Sequence, residues 1–94
     1  LRSRRGYDIH HPVEQTPARD DGYPESMVDG PNNRVSVPRL RHWQITGWYG
    51  RKNPEFKDEN ENSVSPREYL RGKRWDERVR LGKMALIKFG VLKP

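Results

Sequence analysis

The chain has 94 residues, a formal net charge of +6, 31% hydrophobic and 34% charged residues, and a mean hydropathy of -1.19. Leu, Ile, Val and Phe fill 18 positions. So small an apolar supply does not offset roughly 1.5 kcal/mol of ordering entropy per residue, which argues against a self-contained enzyme with a dry cavity. The absence of cysteine excludes a disulfide framework, a thiolate metal site and a Cys nucleophile, and it disfavours secretion of so core-poor a domain.

Leu1–Tyr7 (LRSRRGY) is basic and free of acidic residues. With a start at Leu rather than Met, it resembles the tail of an organellar transit peptide on a processed chain, and it reads equally as an ordinary basic arm. Residues 1–33 hold Pro12, Pro17, Pro24 and Pro31, with turn chemistry at Asp20-Asp21-Gly22 and Asp29-Gly30-Pro31. Proline neither donates to a ladder nor continues a helix, so this segment reads as a Pro/Gly-rich extended arm.

Residues 34–57 form a basic-aromatic segment. Val35/Val37 and Trp43/Ile45 alternate on either side of Pro38, which predicts two short edge strands, with Gly47 and Gly50 marking a turn around Trp48-Tyr49. An acidic polar loop follows over 58–65, carrying Asp58, Glu59 and Glu61. Residues 66–94 make a basic helical C-terminal segment. Ser65-Pro66-Arg67-Glu68 is a capping box with proline at the first helical position, predicting a short helical turn near 66–71. Gly72 then breaks the chain. Trp75, Val79, Gly82, Leu86 and Phe89 recur at helical spacing up to Gly90, a C-cap glycine, so a helix is predicted over about 73–89. Gly82 inside that stripe would admit a partner at close range. The predicted fold class is thus a mostly irregular, extended chain with one C-terminal helix, little or no independent core, and an order imposed by a large partner.

Thirteen of the nineteen cationic residues are arginine, the side chain suited to bidentate phosphate contacts and to stacking. Arg39, Arg41, Arg51 and Lys52, interleaved with Trp43, Trp48 and Tyr49, are candidate nucleic-acid contacts, and Arg71 and Arg74 extend the set. Trp43, Trp48, Tyr49, Trp75, Val79, Leu86 and Phe89 are candidate anchors on a partner. The same aromatics also serve as a small core, and the helix charges also serve as a solvated face with local ion pairs. His10-His11 and His42 have no metal-ligand spacing, and adjacent histidines point different ways, so no metal site is expected. The acidic pairs read as solvated loops or contacts to basic partners, and no phosphate-cradling glycine loop or nucleophile elbow is present. No catalytic residue and no cofactor is expected, and no apolar run is long enough for a transmembrane segment.

A short, Arg-rich chain with a Pro-rich arm, a Trp-containing middle and one capped C-terminal helix resembles the accessory subunits of large organellar assemblies, mitochondrial ribosomal proteins in particular. That resemblance implies a non-catalytic structural subunit in a mitochondrial ribonucleoprotein, contacting rRNA and protein neighbours. The alternative is a peripheral accessory subunit of a respiratory complex or ATP synthase, held by protein and lipid contacts. Both place the chain in the mitochondrial matrix or on the matrix-facing inner membrane.

Overall fold

A computed structural model describes residues 4–94; the first three residues of the basic stretch Leu1–Tyr7 lie outside the described residues. The N-terminal half is built on a two-stranded antiparallel ribbon. Strand β1 (Tyr7–His10) pairs with β2 (Val35–Pro38), with Asp8 opposite Val37 and His10 opposite Val35. Opposed residues share a face, so Asp8, His10, Val35 and Val37 line one side. Pro38 then caps helix α3 (Arg39–Gly50) with no intervening loop, and α3 folds back onto that side.

Between β1 and β2 lie two short helices, α1 (Gln15–Asp20) and α2 (Glu25–Val28), and a 3-10 turn at Pro31–Asn33. After α3 come a bulged hairpin of β3 (Asn53–Lys57) and β4 (Ser63–Val64), helix α4 (Pro66–Tyr69) and helix α5 (Trp75–Lys88).

This architecture overturns the extended, single-helix expectation. Among the described residues there are five α-helices and two small sheets, 47% helical and 16% strand. The radius of gyration is 13.3 Å, that of a folded chain and far from the ~30 Å of an unfolded one. The segment read as an extended arm contains β1, α1, α2 and the 3-10 turn, because each proline sits where a helix or turn begins or bends rather than where a ladder needs its N–H. Residues 43 and 45, expected in a strand, lie in α3. There the buried positions are Ile45, Trp48 and Tyr49, an i, i+3, i+4 set that belongs to a helix face.

The main core joins Val37, Ile45, Trp48, Tyr49, Phe56, Leu70, Leu81, Ala85 and Leu86. Its middle is aromatic, with Trp48 packed edge-on to Phe56 at 5.9 Å between ring centroids and Phe56 tilted against Tyr69 at 5.2 Å. Each buried aromatic ring removes about 150–250 Å² from water, so a few of them supply the burial that a count of aliphatic residues underestimates. A satellite cluster of Val13, Ala18 and Val28 is covered by Tyr23, Trp75 and Val79.

Polar groups tie the short elements together. Arg78, 2% exposed, donates from Nε to the Lys73 carbonyl at 3.0 Å and pairs with Asp21, whose other contact is the Gly72 N–H at 2.9 Å. Asp21 and the buried Arg78 thus staple the end of α1 to α5. Arg67 grips Glu14 through two bonds of 2.8 and 2.6 Å. Asn33, also buried, donates to the Val13 and Val28 carbonyls and accepts from the Val13 N–H.

The two C-terminal helices carry the end signals that the sequence predicts. Ser65 Oγ accepts from the Glu68 N–H at 3.1 Å, and Gly90, at φ +74°, closes α5 with Gly90 N–H on the Ile87 carbonyl and Val91 N–H on that of Leu86. Those bonds make a Schellman cap.

Gly82 does permit a close approach, and the visitor is this chain's own Pro12. A Cβ built on Gly82 would lie 2.5 Å from the Pro12 carbonyl oxygen and 2.9 Å from its carbon. The same carbonyl accepts from the Tyr49 hydroxyl at 2.9 Å, so it is wedged between α3 and α5. Gly82→Ala is therefore expected to destabilise the protein by about 1–3 kcal/mol in urea denaturation, by overpacking. Gly47→Ala, where a Cβ meets only the mobile end of Arg51 at 3.0 Å, is expected to be neutral or to gain up to about 1 kcal/mol of helix propensity.

Candidate functional site

The turn from β2 into α3 brings the first turn of the helix over the ribbon face that carries Asp8 and His10. His42, one turn into α3, meets His10 there. Their ring centroids are 5.3 Å apart and edge to face, at 66°. Asp8, two residues before His10 and on the same face, accepts from His42 Nδ1 through Oδ2 at 2.9 Å, and its Oδ1 takes a bond from Arg39 Nε at 3.3 Å.

A carboxylate on Nδ1 fixes the His42 tautomer and leaves the lone pair on Nε2. The His42 hydrogen bond, and after it Arg39, holds the Asp8 carboxyl below the usual range, so Asp8 is anionic at neutral pH. His10 is 4% exposed. Burial foremost, then the neighbouring His42 and His11, pushes its pKa down from 6.5 to about 4. Its imidazole is a neutral base at physiological pH.

His11, the next residue, turns to the other side and donates from Nε2 to Asp29 at 2.8 Å. Asp29 is pulled down to about 2 by Arg34 and then by His11. Beside the three histidines opens a cleft of about 200 Å³, lined also by Glu14, Thr16, Thr46 and Tyr49. Glu14 is committed to Arg67 and the Tyr49 hydroxyl to Pro12. Burial raises the Tyr49 phenol, which stays protonated. Asn33, bonded to both backbone groups of Val13, fixes the chain just after the histidine pair. A larger groove of about 440 Å³ runs between α2 and α5, past Met27, Trp75 and Val79. Of its lining only Arg34 and Lys83 are ionisable, so it offers no acid–base pair.

Among the described residues no group of three or more His, Asp or Glu side chains is placed to hold a metal ion.

The predicted contact residues fall into three groups. Arg39, Arg41, Arg51 and Lys52 are exposed and lie on or just after α3, a helix that contains no acidic residue. Arg41 donates to Gln44 at 2.9 Å. Arg71 and Arg74 flank the α4–α5 turn instead, each beside an acid, Glu68 at 3.7 Å and Asp76 at 3.6 Å. Of the predicted anchors, Trp48, Tyr49 and Leu86 are buried in this chain's own core. Trp75 and Val79 cover the satellite cluster, and Phe89 packs half-buried on the main core. Only Trp43, 65% exposed, stands free of both cores.

Asp8, His10 and His42 escaped the sequence reading because their meeting depends on 39–50 being a helix. With Trp43 and Ile45 placed in a strand, His42 has no defined relation to His10. The usable signal was a strand ending in His-His and a histidine in the first turn of a following helix. Comparison with protein-family models, with curated proteins and with solved structures finds no match.

The depressed His10 pKa fixes a pH window for stability. The unfolded state takes up this proton at 6.5 and the folded state only near 4. Stability is therefore expected to be level above about pH 6.5 and to fall, as pH drops to 4, by about 3 kcal/mol. The depressed carboxyls, Asp8, Asp29, Glu25 and Glu77 among them, add their own loss only below about pH 5. Urea denaturation of wild type and His10→Gln across pH 4–7.5 checks this, and the variant should lack the part of the slope between about pH 6.5 and 5.

Proposed function

We propose that this chain binds nucleic acid along α3 and cleaves phosphodiester bonds at the histidine cleft. The observation that carries the reading is the Asp8–His42–His10 arrangement, in which β1 supplies Asp8 and His10 and α3, the helix that also presents Arg39 and Arg41, supplies His42. A carboxylate-oriented imidazole is acid–base machinery, and exposed arginines on a helix with no acidic residue of its own attract a polyanion. In hydrolysis a water oxygen bonds to phosphorus while the bond to the leaving sugar oxygen breaks. His42 Nε2 takes the proton from that water and passes it to the leaving oxygen.

A second reading is favoured by the exposed Trp43 among arginines, which suits docking without chemistry. In it the chain is a non-catalytic subunit of a mitochondrial ribosome, contacting rRNA and neighbouring proteins, or alternatively a peripheral subunit of a respiratory complex or ATP synthase. A core of its own removes one argument for that reading, since no partner is needed to order the chain, and leaves the charge argument intact.

The readings separate in one assay. Purified protein is incubated with labelled RNA and DNA, with Mg²⁺ or with EDTA. Cleavage is expected, and His42→Asn should reduce it about 10²-fold or more, the range for a lost acid–base group, while far-UV circular dichroism and nucleic-acid binding persist. Wild-type cleavage unaffected by His42→Asn would overturn the proposal. Binding to rRNA with no cleavage under either condition would favour the structural subunit.

A further inference from the structure

We propose that the solvent face of α3 is a stacking surface for unpaired bases, with Trp43 as the residue that sets a preference for single strands. This rests on the nucleic-acid reading above and names the substrate class. The chain has three tryptophans. Trp48 is 8% exposed inside the main core, and Trp75 packs against Tyr23 with ring centroids 5.2 Å apart. Trp43 is 65% exposed, and Leu40, one turn before it, is 61% exposed. Residues i and i+3 are neighbours on a helix surface, so the two form one apolar spot. Gly47, one turn further along that face, leaves room beside the indole, and the Arg51 guanidinium lies over it, 3.0 Å from where a Cβ would stand.

An indole held in water on a helix with cations at both ends and no acid of its own suits an occupant that is both flat and anionic. Nucleic acid has both properties, and base–aromatic stacking is tolerant of sequence. The face is wrong for reading a duplex, where base planes are covered by their neighbours and recognition goes through hydrogen bonds to base edges. Leu40 and Trp43 have little to offer there. It is also too narrow for a lipid surface, which calls for an apolar face along a whole amphipathic helix. The neighbouring cations lie at both ends of α3, Arg39 and Arg41 at its start and Arg51 and Lys52 just past its end. They bracket roughly 18 Å of helix, so a strand laid along it meets positive charge on either side of the indole.

The test is fluorescence anisotropy with a labelled single-stranded oligonucleotide and the blunt duplex of the same sequence. It uses the full chain carrying His42→Asn so that cleavage does not interfere. Trp43→Ala should weaken single-strand binding about tenfold or more and leave duplex binding unchanged. Trp43→Phe, which keeps a ring, should recover most of the loss. Arg41→Ala should weaken both ligands and lower the salt dependence of each. An equal loss on both ligands with Trp43→Ala, or no loss on either, overturns the stacking role while leaving the cleavage proposal standing. Persistent cleavage in His42→Asn overturns that proposal, and the stacking role is then read on the same oligonucleotides with cleavage-resistant phosphorothioate linkages. Failure of the protein to bind any nucleic acid overturns both.

Discussion

The loop-free passage from β2 into α3 is the constraint on which most of this structure depends. Pro38 ends the ladder opposite Tyr7 and caps the helix, so the helix axis is set by the ribbon before any side chain packs. The ribbon face with Asp8, His10, Val35 and Val37 is then covered by the helix face with His42, Ile45 and Tyr49. Apolar pairs on that interface become the core, and polar ones become the cleft. The opposite face of the same helix is left to water, which is where Leu40 and Trp43 stand. Core, cleft and basic surface are three sides of one strand–helix joint.

The rest of the chain holds that joint closed. The Pro12 carbonyl, taken by Tyr49 and pressed on Gly82, fixes α5 against α3 at a distance only glycine allows. Asn33 ties Val13 and Val28 together with all of its bonds satisfied, and Arg78 with Asp21 does the same for α1 and α5. Buried polar groups of this kind are stabilising only when fully partnered. Their completeness explains how a chain with few aliphatic residues has a defined interior. They are also directional, so they position the histidine pair more tightly than apolar contacts alone would.

The sequence was legible where local chemistry decides the structure. The Ser65 cap, the Gly72 break, the Gly90 Schellman turn and the Val35–Val37 alternation are all short-range signals, and each appears in place. Reading failed where distant residues decide. Helix α3 has two glycines, a β-branched Thr46 and no capping side chain, so its propensity is weak, and burial of Ile45, Trp48 and Tyr49 against elements far along the chain selects the helix. The prolines of residues 1–33 signal extension in isolation, yet in the fold they also start helices and turns. Composition misled most. A count of Leu, Ile, Val and Phe overlooks the aromatic area and the partnered Asn33 and Arg78. Of the candidate site, the arginines of α3 and the exposed Trp43 were visible in advance, whereas Asp8, His10 and His42 became a site only once the helix was known.

The central claim is that this chain folds by itself and, in doing so, sets a carboxylate-held imidazole against a buried neutral one. Nitrogen-15 NMR of the histidine side chains in the purified, unliganded protein tests it most directly. The account predicts His42 in the Nδ1–H tautomer, ring-to-ring nuclear Overhauser contacts between His10 and His42, and a His10 ring that stays neutral down to about pH 4. Three histidines that titrate together near 6.5, with unfolded-chain shifts and no contact between the rings, would contradict it.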